Sequence, residues 1–206
     1  MFKSERLDVR LTFTEPLLGT APARDLYERW IQAEARKRGL EVDDELETLQ
    51  DMEEKGWTRF HEDEKGLLIY DYVVRGFLKS ALAFLMENGA VPKIPAYKNR
   101  VDKFVFIEPR RIYIKDSEGR VKTEPDGVLE RPLRAMTLQG PRTSLVRSDY
   151  VKPGSMLEFS VILFENRAIS MRHIRQAFDY GRWHGLGQWA SGGFGRFSWE
   201  EINHRR

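Results

Sequence analysis

Hydrophobic and polar residues alternate along the first predicted element of the chain. Leu7, Val9, Leu11 and Phe13 occupy every second position, and charged or hydroxyl side chains lie between them. A period of two predicts a strand with one buried face. Residues 16–20, Pro-Leu-Leu-Gly-Thr, end this strand, because proline donates no ladder hydrogen bond and glycine permits a turn.

Apolar residues at helical spacing predict four helices, at residues 25–38, about 43–55, 75–88 and 169–180. Gly39, Gly56 and Gly89 follow the first three of these segments, and a glycine in that position is a typical stop signal. The first two predicted helices are interpreted as an acidic helical insertion at about residues 24–66.

Extended structure is predicted for four further segments, at residues 103–114, 129–138, 155–164 and 197–199. The sequence Asp-Ser-Glu-Gly at 116–119 is typical of a hairpin turn. Residues from about 93 to 135 are therefore interpreted as a basic insertion of extended chain and β-hairpin. The next segment, residues 139–148, is basic and polar, and it is interpreted as rich in turns.

The order of predicted elements is strand, helix, strands, strand, helix, glycine-rich loop, strand. This order predicts an α+β fold with a ferredoxin-like (RRM-like) β-α-β-β-α-β core, to which the helical insertion and the hairpin insertion are added. A chain of 206 residues without internal repeats is expected to form a single domain, residues 1–206.

Composition excludes several classes of protein. With 41% hydrophobic and 32% charged residues the chain is typical of a soluble globular protein, and no apolar run reaches the roughly 20 residues of a membrane span. Cysteine is absent, which excludes a disulfide framework, a thiolate nucleophile and a cysteine zinc site. We therefore expect a cytoplasmic protein with no membrane partner.

The formal net charge of +2 conceals an uneven distribution. Residues 41–65 contain 11 acidic and three basic side chains, whereas residues 75–122 contain 11 basic and five acidic ones. Residues 131–206 contain 12 basic and six acidic side chains, and arginine predominates among the basic ones. Arginine is suited to bidentate phosphate contacts, so the two basic blocks favour a charged binding face over merely solvated surfaces.

A glycine-rich loop between the last predicted helix and the last predicted strand is the strongest candidate for a binding site. Six of the residues from 181 to 197 are glycine, with arginine, histidine and tryptophan among them. Glycine has no Cβ, so backbone N–H groups in such a loop can approach a phosphate closely. The alternative is a turn that only reverses the chain, for which a single glycine would suffice.

Four segments resemble motifs of the RAMP superfamily of CRISPR effector proteins, in particular the backbone subunit that coats guide RNA. They are the Pro-Leu-Leu-Gly-Thr segment at 16–20, the helix start at 75–82, the basic segment at 142–147 and the glycine-rich loop at 181–195, which ends Gly-Phe-Gly. The chain departs from the family pattern at Ser80, where the family often has glycine, and in the acidic insertion.

The resemblance implies a non-catalytic RNA-binding subunit of a CRISPR-type ribonucleoprotein of antiviral defence. Its partners would be single-stranded guide RNA and other subunits of the complex, and it would form a head-to-tail homo-oligomer on the RNA. The acidic residues 41–64 are a candidate surface for meeting a basic face on a neighbour. No cofactor is expected.

Coating single-stranded RNA requires cations for phosphate and planar side chains for bases. The phosphate candidates are Arg75, Lys79, Arg142, Arg147 and Arg182. Backbone donors are expected at Gly185, Gly187, Gly192 and Gly193, and base stacking at Trp183, His184 and Trp189. For the two tryptophans the alternative is packing against the core.

Two other functions stay open. A RAMP-type processing endoribonuclease would need a general acid or base, and His184 is the one histidine within the loop, without a visible partner in the sequence. A protein–protein interaction module would keep the fold without RNA binding. Metal binding is not expected: the histidines lack ligand spacing, and the carboxylates at 43–47 are typical of a solvated helix start.

Overall fold

The computed structural model describes residues 2–22, 57–137 and 140–202, without the side chains of residues 22, 133–137 and 140–144. The helices predicted at 25–38 and about 43–55, together with the carboxylates at 43–47, lie outside the described residues. The predicted acidic helical insertion therefore stays a prediction for most of its length.

The described residues form twelve strands and three α-helices. The strands are β1 (Ser4–Phe13), β2 (Leu17–Leu18), β3 (Ala21–Pro22), β4 (Trp57–Arg59), β5 (His61–Asp63), β6 (Gly66–Tyr70), β7 (Val105–Glu108), β8 (Arg111–Tyr113), β9 (Gly127–Thr137), β10 (Gly140–Val151), β11 (Met156–Phe164) and β12 (Phe197–Glu201). The helices are α1 (Asp71–Glu87), α2 (Tyr97–Phe104) and α3 (Met171–Asp179). This mixture of strands and helices confirms the predicted α+β fold class.

The central sheet has the strand order β12-β1-β11-β7, and each neighbouring pair is antiparallel. The alternation in β1 is confirmed: Leu7, Val9, Leu11 and Phe13 are buried on one face. The other face carries charged groups such as Arg10, whose guanidinium lies 2.7 Å from Glu158 on β11 and also reaches β12. One face of the sheet therefore packs against the core, and the other carries the charged side chains of β1 together with the aromatic rings of Phe106 and Phe164.

Helices α1 and α3 complete the core with the stripes expected from their periodicity. The buried side chains of α1 are Val74, Phe77, Leu78, Ala81, Leu82 and Leu85. In α3 the buried side chains include Phe178, whose ring centre lies 6.2 Å from that of Phe77 and 6.0 Å from that of Phe159 on β11. Each fully buried side chain of this size stabilises the fold by about 1.5–3 kcal/mol.

The prediction of turns at residues 139–148 is wrong. Residues from Gly140 onward form β10, which pairs antiparallel with β9 along its length, from the Gly140–Thr137 pair to the Tyr150–Gly127 pair. Cross-strand pairing outweighs the weak local turn preference of polar residues. Strand β10 also pairs with β2 and β4, so it connects the chain after β1 with the segment at 57–59.

The structure also describes residues 103–114, the predicted turn at 116–119 and residues 57–63. Residues 103–114 are mostly extended, as β7 and β8, but helix α2 continues through Phe104. The hairpin turn at 116–119 is confirmed, since the Gly119 N–H donates to the Asp116 carbonyl at 3.0 Å. Residues 57–63, the end of the acidic segment, form β4 and β5.

Candidate nucleic-acid interface

A groove of about 430 Å³ lies between α1 and the glycine loop, the name used here for residues 181–195. From α1 it is lined by Tyr72, Val73, Gly76, Phe77 and Ser80. From the glycine loop it is lined by His184, Gly185, Gly187, Gln188 and Ala190, and Thr20 contributes from the segment after β2. Three of the four segments that carry the family resemblance therefore meet at this groove.

Gly76 leaves the groove open on the α1 side. A Cβ built on this residue would meet no atom within 4 Å, and the residue is exposed. Glycine inside a helix costs about 0.5–1 kcal/mol relative to alanine. No close packing within the described residues requires glycine at this position, so its observable effect is to keep the groove wide.

The glycine loop is anchored in the protein. Leu186 is fully buried, and its N–H donates to the carbonyl of Gly195 at 2.9 Å. The N–H of Gly195 donates in turn to the carbonyl of Pro16 at 2.8 Å. These bonds hold the loop against the segment after β1 and give the groove a defined shape.

Close packing explains several of the glycines in the loop. A Cβ on Gly185 would overlap the carbonyl oxygen of Phe194, and one on Gly181 would overlap the ring of Phe197. A Cβ on Gly192 would lie 2.5 Å from the indole of Trp189. These three glycines are needed for the loop to pack against itself and against β12.

The four predicted backbone donors divide into two pairs. The N–H groups of Gly192 and Gly193 donate within the loop, to the carbonyls of Trp189 and Ala190 at 2.9 and 3.0 Å. The N–H groups of Gly185 and Gly187 make no hydrogen bond to any described residue, and both residues line the groove. Only the second pair lacks a hydrogen-bond partner within the described residues.

Arg75 and Lys79 lie away from the groove. Arg75 pairs with Asp71 at 2.8 Å, and Lys79 pairs with Asp102 on α2 at 2.6 Å. Neither side chain lines the groove, although at about 100° per residue Lys79 lies only about 60° from Gly76 around the helix. Their charges are therefore neutralised by neighbouring carboxylates.

Of the two predicted arginines on β10, Arg147 falls outside the groove lining. The Nε of Arg147 lies 2.7 Å from the carboxylate of Glu130, its neighbour on β9. Arg142 is in the part of β10 whose side chains lie outside the described residues. Its predicted phosphate contact stays a prediction.

Arg182 and Trp183 are two exposed members of the predicted set beside the groove. They immediately precede His184, which lines it, and the Trp183 side chain is 72% exposed. Arg182 makes no ion pair or hydrogen bond through its side chain to the described part of the chain. A free cation next to a free indole suits a phosphate and a stacked base.

His184 is the end of a column of three stacked rings. Its imidazole stacks on Tyr180 at 5.5 Å between centres, and Tyr180 stacks on Phe84 of α1 at 4.2 Å. Burial lowers the pKa of His184 below its ordinary value, so the imidazole is neutral at pH 7. The ring borders the groove as an uncharged planar group.

Trp189 has stacking partners inside the protein. The guanidinium of Arg131 on β9 lies 3.9 Å from its ring centre, and the Phe194 ring lies 4.9 Å away and nearly parallel. The backbone of Trp189 adopts a left-handed conformation with φ of 52°, unusual for a bulky residue. Its indole therefore packs within the protein, against Arg131 and Phe194, and is less suited than Trp183 to stack on a base.

Sequence reasoning missed the polar contacts that hold Gln188. Its Oε1 accepts a hydrogen bond from the Thr58 hydroxyl at 2.8 Å and lies 3.1 Å from the Ser148 hydroxyl. These residues come from the glycine loop, β4 and β10. No local pattern marks them, because only the pairing of β4 with β10 brings the two hydroxyls together.

Comparisons with known proteins place the chain in no family. No protein-family model matches it, and no curated protein matches it. A solved structure described as "Type IV-B CRISPR Complex" is similar over 98% of this chain and 92% of its own, with a TM-score of 0.48 and 9% identity. Similarity at that level is too low to transfer an activity.

Two other types of feature are not found in the described ranges. Residues 2–22, 57–137 and 140–202 contain no group of three or more His, Asp or Glu side chains that could hold a metal ion. Among the helices of these ranges, none has the length and hydropathy that a bilayer span requires.

Proposed function

We propose that the protein is a non-catalytic RNA-binding subunit of a CRISPR-type ribonucleoprotein, and that single-stranded guide RNA lies in the groove between α1 and the glycine loop. One observation carries the proposal. The segment after β2, the start of α1 and the glycine loop are far apart in sequence, yet they line one groove. These are segments in which the chain resembles RNA-coating RAMP proteins.

The proposal includes a ferredoxin-like core. Along the chain the central elements follow the order β1, α1, β7, β11, α3, β12, which is the β-α-β-β-α-β order. In the sheet the first strand lies between the last and the third, in the order β12-β1-β11-β7. Both orders support this interpretation.

The chemistry of the groove suits bases and riboses more than phosphates. Among the described residues, the side chains that line it carry no formal charge at neutral pH, with His184 kept neutral by burial. The phosphates would lie at its margin, where Arg182 supplies a cation and the N–H groups of Gly185 and Gly187 supply donors. Trp183 would stack on an adjacent base.

Assembly follows from the same proposal. A subunit that coats RNA meets its neighbours head to tail, and such heterologous contacts make an open filament when the rotation does not close. The acidic residues 41–64 are proposed as one side of that contact. Light scattering with and without RNA tests this assembly, and a strictly monomeric protein under both conditions contradicts it.

The test of RNA binding uses the full chain and one substitution that fills the groove. We expect the purified protein to bind single-stranded RNA in fluorescence anisotropy, with affinity that falls as salt rises. Gly76→Trp places an indole in the groove and should reduce the affinity at least tenfold. Glu87→Trp adds the same ring at an exposed position of α1 that does not line the groove, so it should leave binding unchanged.

Three results would contradict the proposal. They are absence of RNA binding by the wild-type protein, equal affinities of the wild type and Gly76→Trp, and equal losses in the two tryptophan variants. Thermal unfolding of each variant shows whether a loss of binding reflects a loss of folded protein. An elevated A260/A280 ratio of the purified protein, followed by sequencing of the bound RNA, identifies the natural ligand.

A second candidate function is supported by the position of His184. Its neutral imidazole borders the groove and is able to accept a proton from a ribose 2′-hydroxyl, as a metal-independent endoribonuclease requires. Single-turnover incubation with a hairpin RNA decides between the two functions. Our proposal expects no cleavage, whereas cleavage that His184→Ala abolishes would replace it with the enzymatic function.

A further inference from the structure

Gln188 is held in one orientation at the edge of the groove. The Thr58 hydroxyl donates to its Oε1 at 2.8 Å, and the Ser148 hydroxyl lies 3.1 Å from the same oxygen. The two hydroxyls are also 2.9 Å apart, so the three groups form one small network. Ser148 is fully buried, and Thr58 and Gln188 are partly buried.

This network determines which half of the carboxamide a ligand can meet. An amide side chain offers one oxygen that accepts and one nitrogen with two N–H donors. Because Oε1 is occupied, the Nε2 group is the part of Gln188 that remains for the groove, which this residue lines. A ligand that displaces solvent from these donors binds well only if it supplies an acceptor.

Planar side chains flank the same space. Tyr72 lines the groove from α1 and is 52% exposed, and its ring stacks on Tyr70 at 5.7 Å. The Tyr72 hydroxyl lies 3.4 Å from the Nε2 of His61, which further limits its movement. His184 borders the groove from the loop side. A flat heterocycle is the ligand that such an arrangement favours.

We propose that the groove holds one unstacked nucleobase and that Gln188 donates a hydrogen bond to a carbonyl oxygen of that base, which favours uracil or guanine over adenine. This inference rests on the proposed function, since it assigns a base preference to the same RNA site. Adenine has no carbonyl oxygen, and the usual bidentate pairing of glutamine with adenine needs a free Oε1. In this protein Thr58 and Ser148 occupy that oxygen.

The experiment compares the affinities of 12-nucleotide oligo(U) and oligo(A) for the full-length protein by fluorescence anisotropy. We expect oligo(U) to bind more tightly, by about three- to tenfold, the effect of one added hydrogen bond. Gln188→Met keeps the length of the side chain and removes its donors, so it should bring the ratio close to one. Because oligo(A) stacks on itself, the change of the ratio on substitution is the decisive quantity.

A second variant tests the orientation of the amide. Thr58→Val combined with Ser148→Ala removes both hydroxyls and frees the carboxamide to present either of its ends, so the ratio should fall here also. Thermal unfolding confirms that each variant is folded. If Gln188→Met does not fold, the hydroxyl variant alone gives the answer.

The possible outcomes separate this inference from the proposed function. Absence of binding to both oligonucleotides contradicts the proposed function and this inference together. Binding to both with equal affinity, or a ratio that neither variant changes, overturns the base preference and leaves RNA binding intact. A ratio above one in the wild type that falls in the variants supports the assignment of Gln188.

Discussion

The guanidinium of Arg131 lies 3.9 Å from the ring centre of Trp189, so a residue of β9 stacks on a residue of the glycine loop. Arg131 is only 8% exposed, and burial lowers the pKa of its guanidinium. Because Trp189 is 40% exposed, this cation–π contact contributes about 0.5–2 kcal/mol. Trp183, six residues earlier in the chain, is 72% exposed. The two tryptophans of the loop are therefore expected to have different roles.

Alanine in place of each tryptophan should separate binding from stability. Trp183→Ala removes an exposed ring, so the melting temperature should stay within about 1 °C, while RNA affinity falls by about five- to 150-fold through lost base stacking. Trp189→Ala removes the partner of Arg131 and should lower the melting temperature by several degrees. Thermal unfolding and fluorescence anisotropy measure the two effects, and the reverse pattern would contradict the assignment.

Two glycine-to-alanine substitutions should change stability in opposite directions. In Gly185→Ala the new Cβ overlaps the carbonyl oxygen of Phe194, so the backbone must shift, at a cost of about 1–3 kcal/mol. In Gly76→Ala the new Cβ meets no atom within 4 Å, and the gain in helix propensity should stabilise the protein by about 0.5–1 kcal/mol. Urea unfolding measures both. A stable Gly185→Ala protein would show that the loop packs differently.

Gly187 combines a positive φ of 85° with an N–H that is free to bind a ligand. Gly187→Ala should destabilise the fold by about 1 kcal/mol, because alanine is strained at that φ, while its Cβ lies 3.2 Å from the Leu17 side chain. If the N–H donates to RNA, affinity should fall by more than the loss of folded protein explains. Normal affinity of the folded fraction would show that the loop is only a structural turn.

The free cation Arg182 should dominate the electrostatic part of binding at the groove. Arg182→Ala should weaken RNA binding at low salt and reduce the slope of log K against log salt by about one, with the melting temperature unchanged. Lys79→Ala removes the same charge from a position of α1 that does not line the groove, where Asp102 pairs with it. An equal reduction of the slope in both variants would mean that the RNA follows another surface.

The stability of the protein should fall as the pH falls through the range in which histidine titrates. Burial lowers the pKa of His184, so below the ordinary value of about 6.5 the unfolded chain binds more protons than the folded one. The contribution of neutral His184 to the free energy of unfolding is therefore complete above about pH 6.5 and is lost as the pH decreases below that value. His184→Phe keeps a ring on Tyr180 and should lose less melting temperature between pH 7.5 and 5.5 than the wild type. Equal losses would assign the effect to other groups, such as His61 and His173, whose pKa values burial also lowers.

The elements that the sequence determined are those encoded by neighbouring residues. The alternation of Leu7 to Phe13 produced β1, and the apolar stripes around Leu82 and Ile174 produced α1 and α3. Such periodicities reflect which face of one strand or one helix is buried, and the order of apolar and polar side chains along the element is enough to identify that face. The position of the glycine-rich loop was also visible in the sequence, because its glycines lie close together in one short segment.

Tertiary structure alone decided what the candidate residues do. Lys79 looks like a free cation in the sequence, yet the carboxylate of Asp102 neutralises it. Gln188 carries no signal until the pairing of β4 with β10 places two hydroxyls at its oxygen. Contacts between segments far apart in the chain depend on how the strands pair, and that pairing is a property of the whole core that no short stretch of sequence encodes.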